Sequence, residues 1–390
     1  MVTGIFCHYL PIYKDINGVY CSTTLTNEFF TRYFCVVDKL FVATRVYKID
    51  TTFENAHQEP ITIPNVKILE FPNLSNPKTL ISQGKSCKKR LYNFVKAVAL
   101  VFIRGGLIGI WGAECAYKLN KPYLVECAGC AWDEYWNYSI MGKMLAPYME
   151  LKARKITKNA DFVVYVTKRW LQKRYPTKGI STYASNVMID NCDADVLRKR
   201  LKKINDYDEK KKDFIIGTTG GIGNKAKGQQ YVIEALGILK DKVDYRYELV
   251  GGGNDHFLKT ISKKNGLSKN VLFMGQLTHE EVLKWLDSID IYIQPSMQEG
   301  LPRALIEAMS RGCPAIGSTT GGIPELLEKK MLFKRGRVNE LIKVIKRINK
   351  LDLKKQAIRN YLSSKEYNLS DINKRREDLY IKYRDYIFRG

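Results

Sequence analysis

The sequence predicts an α/β protein of two domains in series, each a parallel sheet with helices on both faces. Three observations predict it. Short apolar runs alternate with segments of helical periodicity along most of the chain, with short connections between them. Glycines close several of the apolar runs, as in YELVGGG (247–253). One charge-dense stretch without strand signals, VMIDNCDADVLRKRLKKINDYDEKKKD (187–213), interrupts the alternation. A chain of 390 residues with 45% hydrophobic content has material for two cores. The expected division is an N-terminal domain over 1–190, a linker over 191–212 and a C-terminal domain over 213–369. A last helix, about 370–390, carries Leu379, Ile381, Tyr383 and Tyr386 as anchors and is free to pack back on the first domain.

In the first half, strands are expected at 3–8, 37–43, 66–71, 98–103, 122–127, 161–166 and 180–185. Helices are expected at 22–33, 78–96, 106–119, 139–158 and 167–174. The second half reads more clearly. DFIIGTT (213–219) is a buried strand, and KGQQYVIEALGILK (227–240) has apolar residues at helical spacing. A strand at 247–253 is followed by a helix, 254–266, that opens on Asn254 and stops at Gly266. VLFMG (271–275) is a strand. THEEVLKWLDS (278–288) opens as a capping box, Thr278 with Glu281 three residues on. Strand IDIYIQPS (289–296) leads to helix PRALIEAMSRG (302–312), with proline at its first position and glycine past its end. CPAIG (313–317) is a strand and PELLEKK (324–330) opens a helix. Uninterrupted alternation of this kind builds a parallel sheet covered on both faces.

Composition narrows the function. No run of about 18 apolar residues exists, so no membrane-spanning helix is expected. The first residues show no basic region followed by a long apolar one, so the expected location is the cytoplasm. The nine cysteines are scattered, and most lie in apolar runs as small hydrophobes. Cys127 and Cys130 form a C-x-x-C, but none of the four histidines stands near enough to complete a zinc site, so no metal is expected. The net charge of +24 points to an anionic partner: nucleic acid, a membrane surface or a phosphorylated substrate. No basic reading element for nucleic acid is found, so a nucleic-acid binder is the weaker reading.

The chemistry concentrates in EGLPRALIEAMSRGCPAIGSTTGGIPE (299–325). In an open parallel sheet, ligands bind beyond the carboxyl ends of the strands. Glu299 and Gly300 lie in such a loop, and the helix behind them offers unpaired N–H groups to an anion. Glu307 stands among Ala304, Leu305, Ile306, Ala308 and Met309, where a carboxylate needs partners, and ribose hydroxyls are suitable ones. A second reading is open. Arg303 at i−4 and Arg311 at i+4 allow a surface ion-pair ladder worth about 0.3–0.5 kcal/mol per pair. Gly251, Gly253, Gly321 and Gly322 stand on the same rim, where a ligand could approach backbone. In GTTGGIGNKAKG (217–228), Lys225 and Lys227 flank a Gly-rich turn, where each suits either plain solvation or the neutralising of a departing phosphate. The turn is neither a P-loop nor a dinucleotide fingerprint.

Together these segments resemble the E-x7-E signature of the family-4 retaining glycosyltransferases, which have the GT-B fold: two Rossmann-like α/β domains facing each other across a cleft. The resemblance runs from about 213 to 335 and includes KGQQYVIEAL, YELVGGG, VLFMGQL and IDIYIQPSMQEGLP. It implies that Glu299 faces the donor sugar, Glu307 holds the ribose and Lys227 contacts the diphosphate, with Lys225 as a second phosphate contact. It also implies that Met274 and Gly275 meet the base and that Gly300 and Leu301 line the donor site. Two departures stand out: Pro302 where many members have glycine, and no arginine before the Gly-rich loop. In the first half, INGVY (16–20) matches the family's N-terminal glycine turn, with Asn17 and Gly18 approaching the donor. KPYLVECAGCAWDEYWN (121–137) resembles the acceptor-side loop of polysaccharide-assembly members, with Ala128 at the place of a common histidine. Arg104, Glu126, Trp132 and Asp133 are the acceptor-side candidates.

The resemblance implies sugar transfer with retained anomeric configuration, from a nucleoside diphosphate sugar to a lipid-linked saccharide, with no metal or cofactor. A sugar-nucleotide epimerase or an inverting transferase of the same fold is the alternative. GKSCKKRLYNFVKAV (84–98) and GKMLAPYMELKARKITKNA (142–160) mix basic and apolar residues at helical spacing. They suit either an anionic membrane surface or ordinary domain helices with a solvated basic face.

Overall fold

Two parallel sheets organise the chain. A computed structural model describes it except for residues 57, 188, 190–192, 207–212, 241–243 and 390. One unit comprises Met1–Trp136, Ile140–Ala184 and Asn373–Gly390; the other comprises Asn137–Ser139 and Ser185–Ile372.

The first unit contains strands β1 (Thr3–His8), β2 (Ile12–Lys14), β3 (Tyr20–Ser22), β4 (Lys39–Lys48), β5 (Glu59–Pro60), β6 (Val66–Phe71), β7 (Leu100–Arg104), β8 (Leu124–Cys127), β9 (Phe162–Tyr165) and β10 (Ile180–Tyr183). Its helices are α1 (Asn27–Thr31), α2 (Pro77–Ala97), α3 (Gly106–Lys118), α4 (Ala131–Trp136), α5 (Ile140–Lys158) and α6 (Trp170–Arg174). The parallel core runs β10-β9-β8-β7-β1-β4-β6. The apolar runs read as strands in the sequence are its central members: β1, β7, β8 and β9 are buried along nearly their whole length. The expected helix at 22–33 is reduced to α1, capped by the Thr26 side chain on the Phe29 N–H. Residues 12–22 instead make the β2–β3 hairpin, too short for any periodicity to show.

The second unit contains α7 (Ala194–Asp206), then β11 (Asp213–Thr219), α8 (Gln229–Leu239), β12 (Asp244–Val250), α9 (His256–Lys264), β13 (Val271–Gly275) and α10 (His279–Ser288). There follow β14 (Ile291–Gln294), α11 (Arg303–Ser310), β15 (Ala315–Ser318), α12 (Ile323–Leu326), β16 (Leu332–Phe333), α13 (Val338–Arg347) and α14 (Lys350–Ser364). Helix α15 (Leu369–Arg389) ends the chain, and its residues from Asn373 belong to the first unit. The sheet order is β13-β12-β11-β14-β15-β16, all parallel.

The structure corrects the linker. Where 191–212 was expected to be a connection, residues 194–206 form α7, an element of the second unit; 190–192 and 207–212 lie outside the described residues. The charges that suggested a linker have structural partners. Buried Arg200 donates to the carbonyls of Leu286, Ile289 and Arg311, and Lys203 pairs with Asp290 at 2.9 Å. Arginine here satisfies orphan carbonyls at and beyond the C-terminal ends of α10 and α11. The helix expected at 324–330 is a single turn, α12.

Candidate functional site

The second sheet changes direction between two neighbouring strands. From β11 the chain moves outward to β12 and β13, then returns to β14 on the other side of β11. Ligands of open α/β sheets bind at such a switch point, beyond the strand carboxyl ends. The two loops that meet there are 220–228, after β11, and 295–302, after β14. Met297 N–H donates to the Ala226 carbonyl, and the Gly228 Cα lies against Pro295 so closely that a Cβ would meet its carbonyl oxygen.

This meeting brings Lys227 and Glu299 together. Lys227 Nζ donates to Glu299 Oε1 at 2.7 Å, and both side chains are largely buried. The same oxygen accepts from Ser296 Oγ at 2.9 Å and Gln294 Nε2 at 3.4 Å. Tyr292 extends the network, donating to Gln294 Oε1 and meeting Thr219 Oγ1. Glu299 Oε2 accepts no hydrogen bond among the described residues, so one carboxylate oxygen is held and the other is open.

Sequence reading missed Tyr292, Gln294 and Ser296. A signal was present: they alternate along IDIYIQPS, giving a strand buried on both faces an unexpected polar series.

Glu307 is half-buried in α11, and among the described residues its carboxylate makes no hydrogen bond or ion pair. The ion-pair ladder does not form. Arg311 turns away and grips Asp287 with two hydrogen bonds, and Arg303 approaches Glu307 only as a neighbouring charge. Burial raises the Glu307 pKa above the usual carboxylate range, while Arg303 and His279 oppose the shift. Tyr292 lies in the field of both Glu299 and Glu307. Helix α11 begins after Pro302, with no side chain capping its first N–H groups.

The rim glycines pack loop against loop. Gly321 has φ +56°, and a Cβ there would lie 2.2 Å from the Glu299 carbonyl oxygen. Gly322 N–H then donates to the Gly300 carbonyl at 2.7 Å. Their tightness fixes the backbone that carries Glu299. The Leu301 side chain is buried.

The other donor candidates stand apart from this cluster. Lys225 Nζ lies over the Phe257 ring, 4.3 Å from its centroid. Met274 and Gly275 end β13, two strands from the switch point; Met274 is 42% exposed and Gly275 faces open space. Asn17 and Gly18 are in the first unit, in the β2–β3 hairpin turn, where the buried Asp15 carboxylate accepts from the Asn17 and Val19 N–H groups.

The acceptor-side candidates lie in the first unit. Glu126 is engaged from within: its Oε1 accepts from Tyr33 at 2.6 Å and from Tyr380 of α15 at 2.5 Å, and Arg104 stands 3.7 Å from its Oε2. Burial pushes its pKa up, but Arg104, Arg32 and the two hydroxyls outweigh that and hold it below the usual range. These partners assign Glu126 to anchoring α15. Asp133 is buried, its N–H donating to Cys130 Sγ. Trp132 stacks on Trp136 at 5.2 Å, so the aromatic cluster packs on itself. Cys127 and Cys130 are buried, and burial pushes the Cys130 thiol up to about 11.

Comparison with known proteins fits this geometry. The family model for glycosyl transferases group 1 matches residues 199–365, the segment that carries Lys227, Glu299 and Glu307. Protein CapJ of Staphylococcus aureus is 31% identical, over 98% of this chain and 96% of its own. The chain belongs to the group 1 glycosyl transferases. Another relative of this glycosyltransferase is CapH, a capsular polysaccharide biosynthesis glycosyltransferase of Staphylococcus aureus. It is 30% identical over 39% of the chain and 43% of CapH. The fold is shared with HepE of Anabaena, solved in complex with UDP-glucose: TM-score 0.62 at 16% identity, over 98% of this chain and 100% of that one. Two parallel-sheet units of this kind make the glycosyltransferase a GT-B protein. Among the described residues, no helix is long and apolar enough to cross a membrane.

Proposed function

We propose that this glycosyltransferase moves a sugar, with retention of anomeric configuration, from a nucleoside diphosphate sugar to a lipid-linked saccharide in surface polysaccharide assembly. The second unit takes the donor and the first unit the acceptor. The observation that carries this reading is the pair of carboxylates at the switch point: Glu299 held by one oxygen, and Glu307 half-buried without a hydrogen bond or ion pair among the described residues. An unpartnered, half-buried carboxylate is costly to keep. Two vicinal ribose hydroxyls, each donating to one oxygen, remove that cost.

The Lys227–Glu299 pair serves as a resting state. An arriving diphosphate competes for the Lys227 ammonium and draws it from Glu299, whose Oε1 then joins Oε2 in accepting from the donor sugar's hydroxyls. Lys227 and the uncapped N–H groups of α11 stabilise the charge that develops on the leaving diphosphate. Pro302 contributes no N–H, so donation begins at Arg303. Lys225 is a secondary phosphate contact once it leaves the Phe257 ring, and the backbone at Met274–Gly275 and Leu301 completes the donor site. The reading calls for no metal or cofactor. HepE supports it through its bound UDP-glucose and CapH through its stated role in capsular polysaccharide biosynthesis.

A membrane location on the inner leaflet accompanies the lipid-linked acceptor. Helix α5 supports it by exposing an apolar row, Ile140 (83%), Met141, Met144 (78%), Leu145, Tyr148 and Leu151, followed by exposed Arg154, Lys155 and Lys158. Exposed rows of this size mark interaction surfaces. Glu114 of α3 holds Lys88 of α2 and Lys152 of α5 at 2.5 and 2.7 Å, so both basic helices flank α3 in one layer.

A thermal-shift panel of nucleoside diphosphates and their sugars tests the donor half, since a bound ligand raises the melting temperature by mass action. The anomeric configuration of the product, read by NMR, tests retention.

A further inference from the structure

The first sheet has a switch point of its own. From β1 the chain goes to β4 and β6 on one side, then returns to β7, β8, β9 and β10 on the other. The register pairs His8 with Arg104 at the carboxyl ends of β1 and β7, on either side of that point. A cavity of about 230 Å³ opens there, lined by both residues and by Glu126, Ala128 and Glu134. This is below the ~300–1,000 Å³ of drug-sized sites. It is the room that about eight waters take in the liquid, enough for one small polar molecule.

Among the described residues, two polar groups in its wall lack a hydrogen-bond partner. His8 is 2% exposed, and its Nδ1 lies 2.8 Å from the Arg104 carbonyl oxygen. A carbonyl only accepts, so Nδ1 carries the proton. Burial, then the Arg104 charge, keeps the ring neutral. Nε2 is therefore a bare lone pair, buried and without a hydrogen bond. Arg104 Nη1 is likewise buried without one, since 3.7 Å to Glu126 Oε2 is too long. A lone pair and a cationic N–H side by side define their ligand. An ionised carboxylate or a phosphodiester has no proton to donate to Nε2, and an ammonium is repelled by Arg104. A hydroxyl satisfies both, donating to one and accepting from the other.

A third group fits a second hydroxyl. The Glu134 carboxyl accepts from Tyr9 and sits against Gly129, where any Cβ would lie 2.5 Å from its Oε1. Burial raises its pKa to about 7, so it can donate or accept. Ile110, Met149 and Ile156 supply apolar wall for the C–H face of a ring.

We propose that this cavity binds a single sugar ring of the acceptor, one hydroxyl held between His8 Nε2 and Arg104 Nη1. The proposal rests on the glycosyltransferase reading above and names what the first unit grips. The test is saturation-transfer NMR with methyl glycosides of glucose, galactose and N-acetylglucosamine, on the whole chain and on two variants. His8→Phe keeps the ring and removes the lone pair. Ala128→Leu keeps every polar group and fills the space, so it decides the matter if His8→Phe does not fold. At least one methyl glycoside should bind the wild type and bind each folded variant at least about tenfold more weakly, with nucleoside diphosphate binding unchanged. Methyl glycosides that ignore the wild type, or that bind Ala128→Leu as well as the wild type, overturn the proposal and leave the cavity to water. A wild type that binds nucleoside diphosphates but no glycoside sinks the cavity alone. A wild type that binds no nucleotide sinks the donor reading instead.

Discussion

Lys227 Nζ and Glu299 Oε1 meet at 2.7 Å although 72 residues separate them in sequence. They meet because loops after β11 and β14 converge where the second sheet reverses direction. The pair is partly buried, but Lys227 keeps some solvent contact and Glu299 Oε1 retains Ser296 and Gln294 as donors, so the pair contributes only about 1 kcal/mol to stability. Lys227→Met should therefore change the melting temperature little and lower sugar-transfer turnover by about 10²–10³, the range for losing one donor to developing charge. Steady-state kinetics and thermal melts on one preparation check both halves. A large stability loss with unchanged turnover would assign the pair to structure.

Glu307→Gln should trade binding for stability. The folded-state pKa of Glu307 is raised, so its ionisation costs stability. That cost is absent below its ordinary value of 4.5 and grows as pH rises through the raised value. The variant should melt above wild type at about pH 8 and with it at about pH 3.5. Its nucleotide affinity should fall at least about tenfold if the carboxylate grips hydroxyls. Melts across pH, with and without nucleotide, separate the effects.

Much of this site's framework is legible in the sequence. The spacing of Glu299 and Glu307 and the turn at 217–228 identify the rim, because strand–loop–helix alternation fixes which ends carry ligands. Partner choice was not legible. Nothing local says that Arg311 prefers Asp287 to Glu307, or that the Glu126 carboxylate serves Tyr33 and Tyr380. Those choices depend on residues brought in from other elements. Helix α7 was hidden for a related reason: its charges suggested solvent, while Arg200 spends its own on carbonyls of the second unit.

Glu134→Gln should flatten a pH dependence of stability. Burial raises this carboxyl from 4.5 to about 7. Its ionisation removes stability between those values, so the wild type should lose stability from about pH 4.5 to 7 relative to the variant, and keep that deficit above. Urea denaturation at a series of pH values measures it. Parallel curves would show that Glu134 is not shielded.

Tyr380→Phe should destabilise the first unit by about 1–3 kcal/mol, since it leaves the buried Glu126 carboxylate short of a donor. Tyr33→Phe removes the other hydroxyl on the same oxygen. The double variant should be non-additive, because both act on one carboxylate. Denaturation of the four proteins gives the coupling directly.

Gly321→Ala should damage turnover beyond its effect on stability. It places a Cβ 2.2 Å from the Glu299 carbonyl at φ +56°, so the loop bearing Glu299 must shift. Gly266→Ala, at φ +70° behind α9 with only the flexible end of the Lys240 side chain beside it, is the control and should cost only local strain of about 1 kcal/mol. Kinetics on both variants separate a displaced catalytic loop from a strained turn.

The central claim is that Glu307 and Lys227 hold a nucleoside diphosphate sugar at the switch point of the second sheet. Isothermal titration of UDP, GDP, ADP and TDP, and of their glucose conjugates, into wild type, Glu307→Gln and Lys227→Met tests it most directly. The account predicts that at least one nucleotide binds the wild type, and that each substitution weakens it at least about tenfold while the fold persists. Equal affinity in all three proteins, or no binding by any nucleotide, would contradict it.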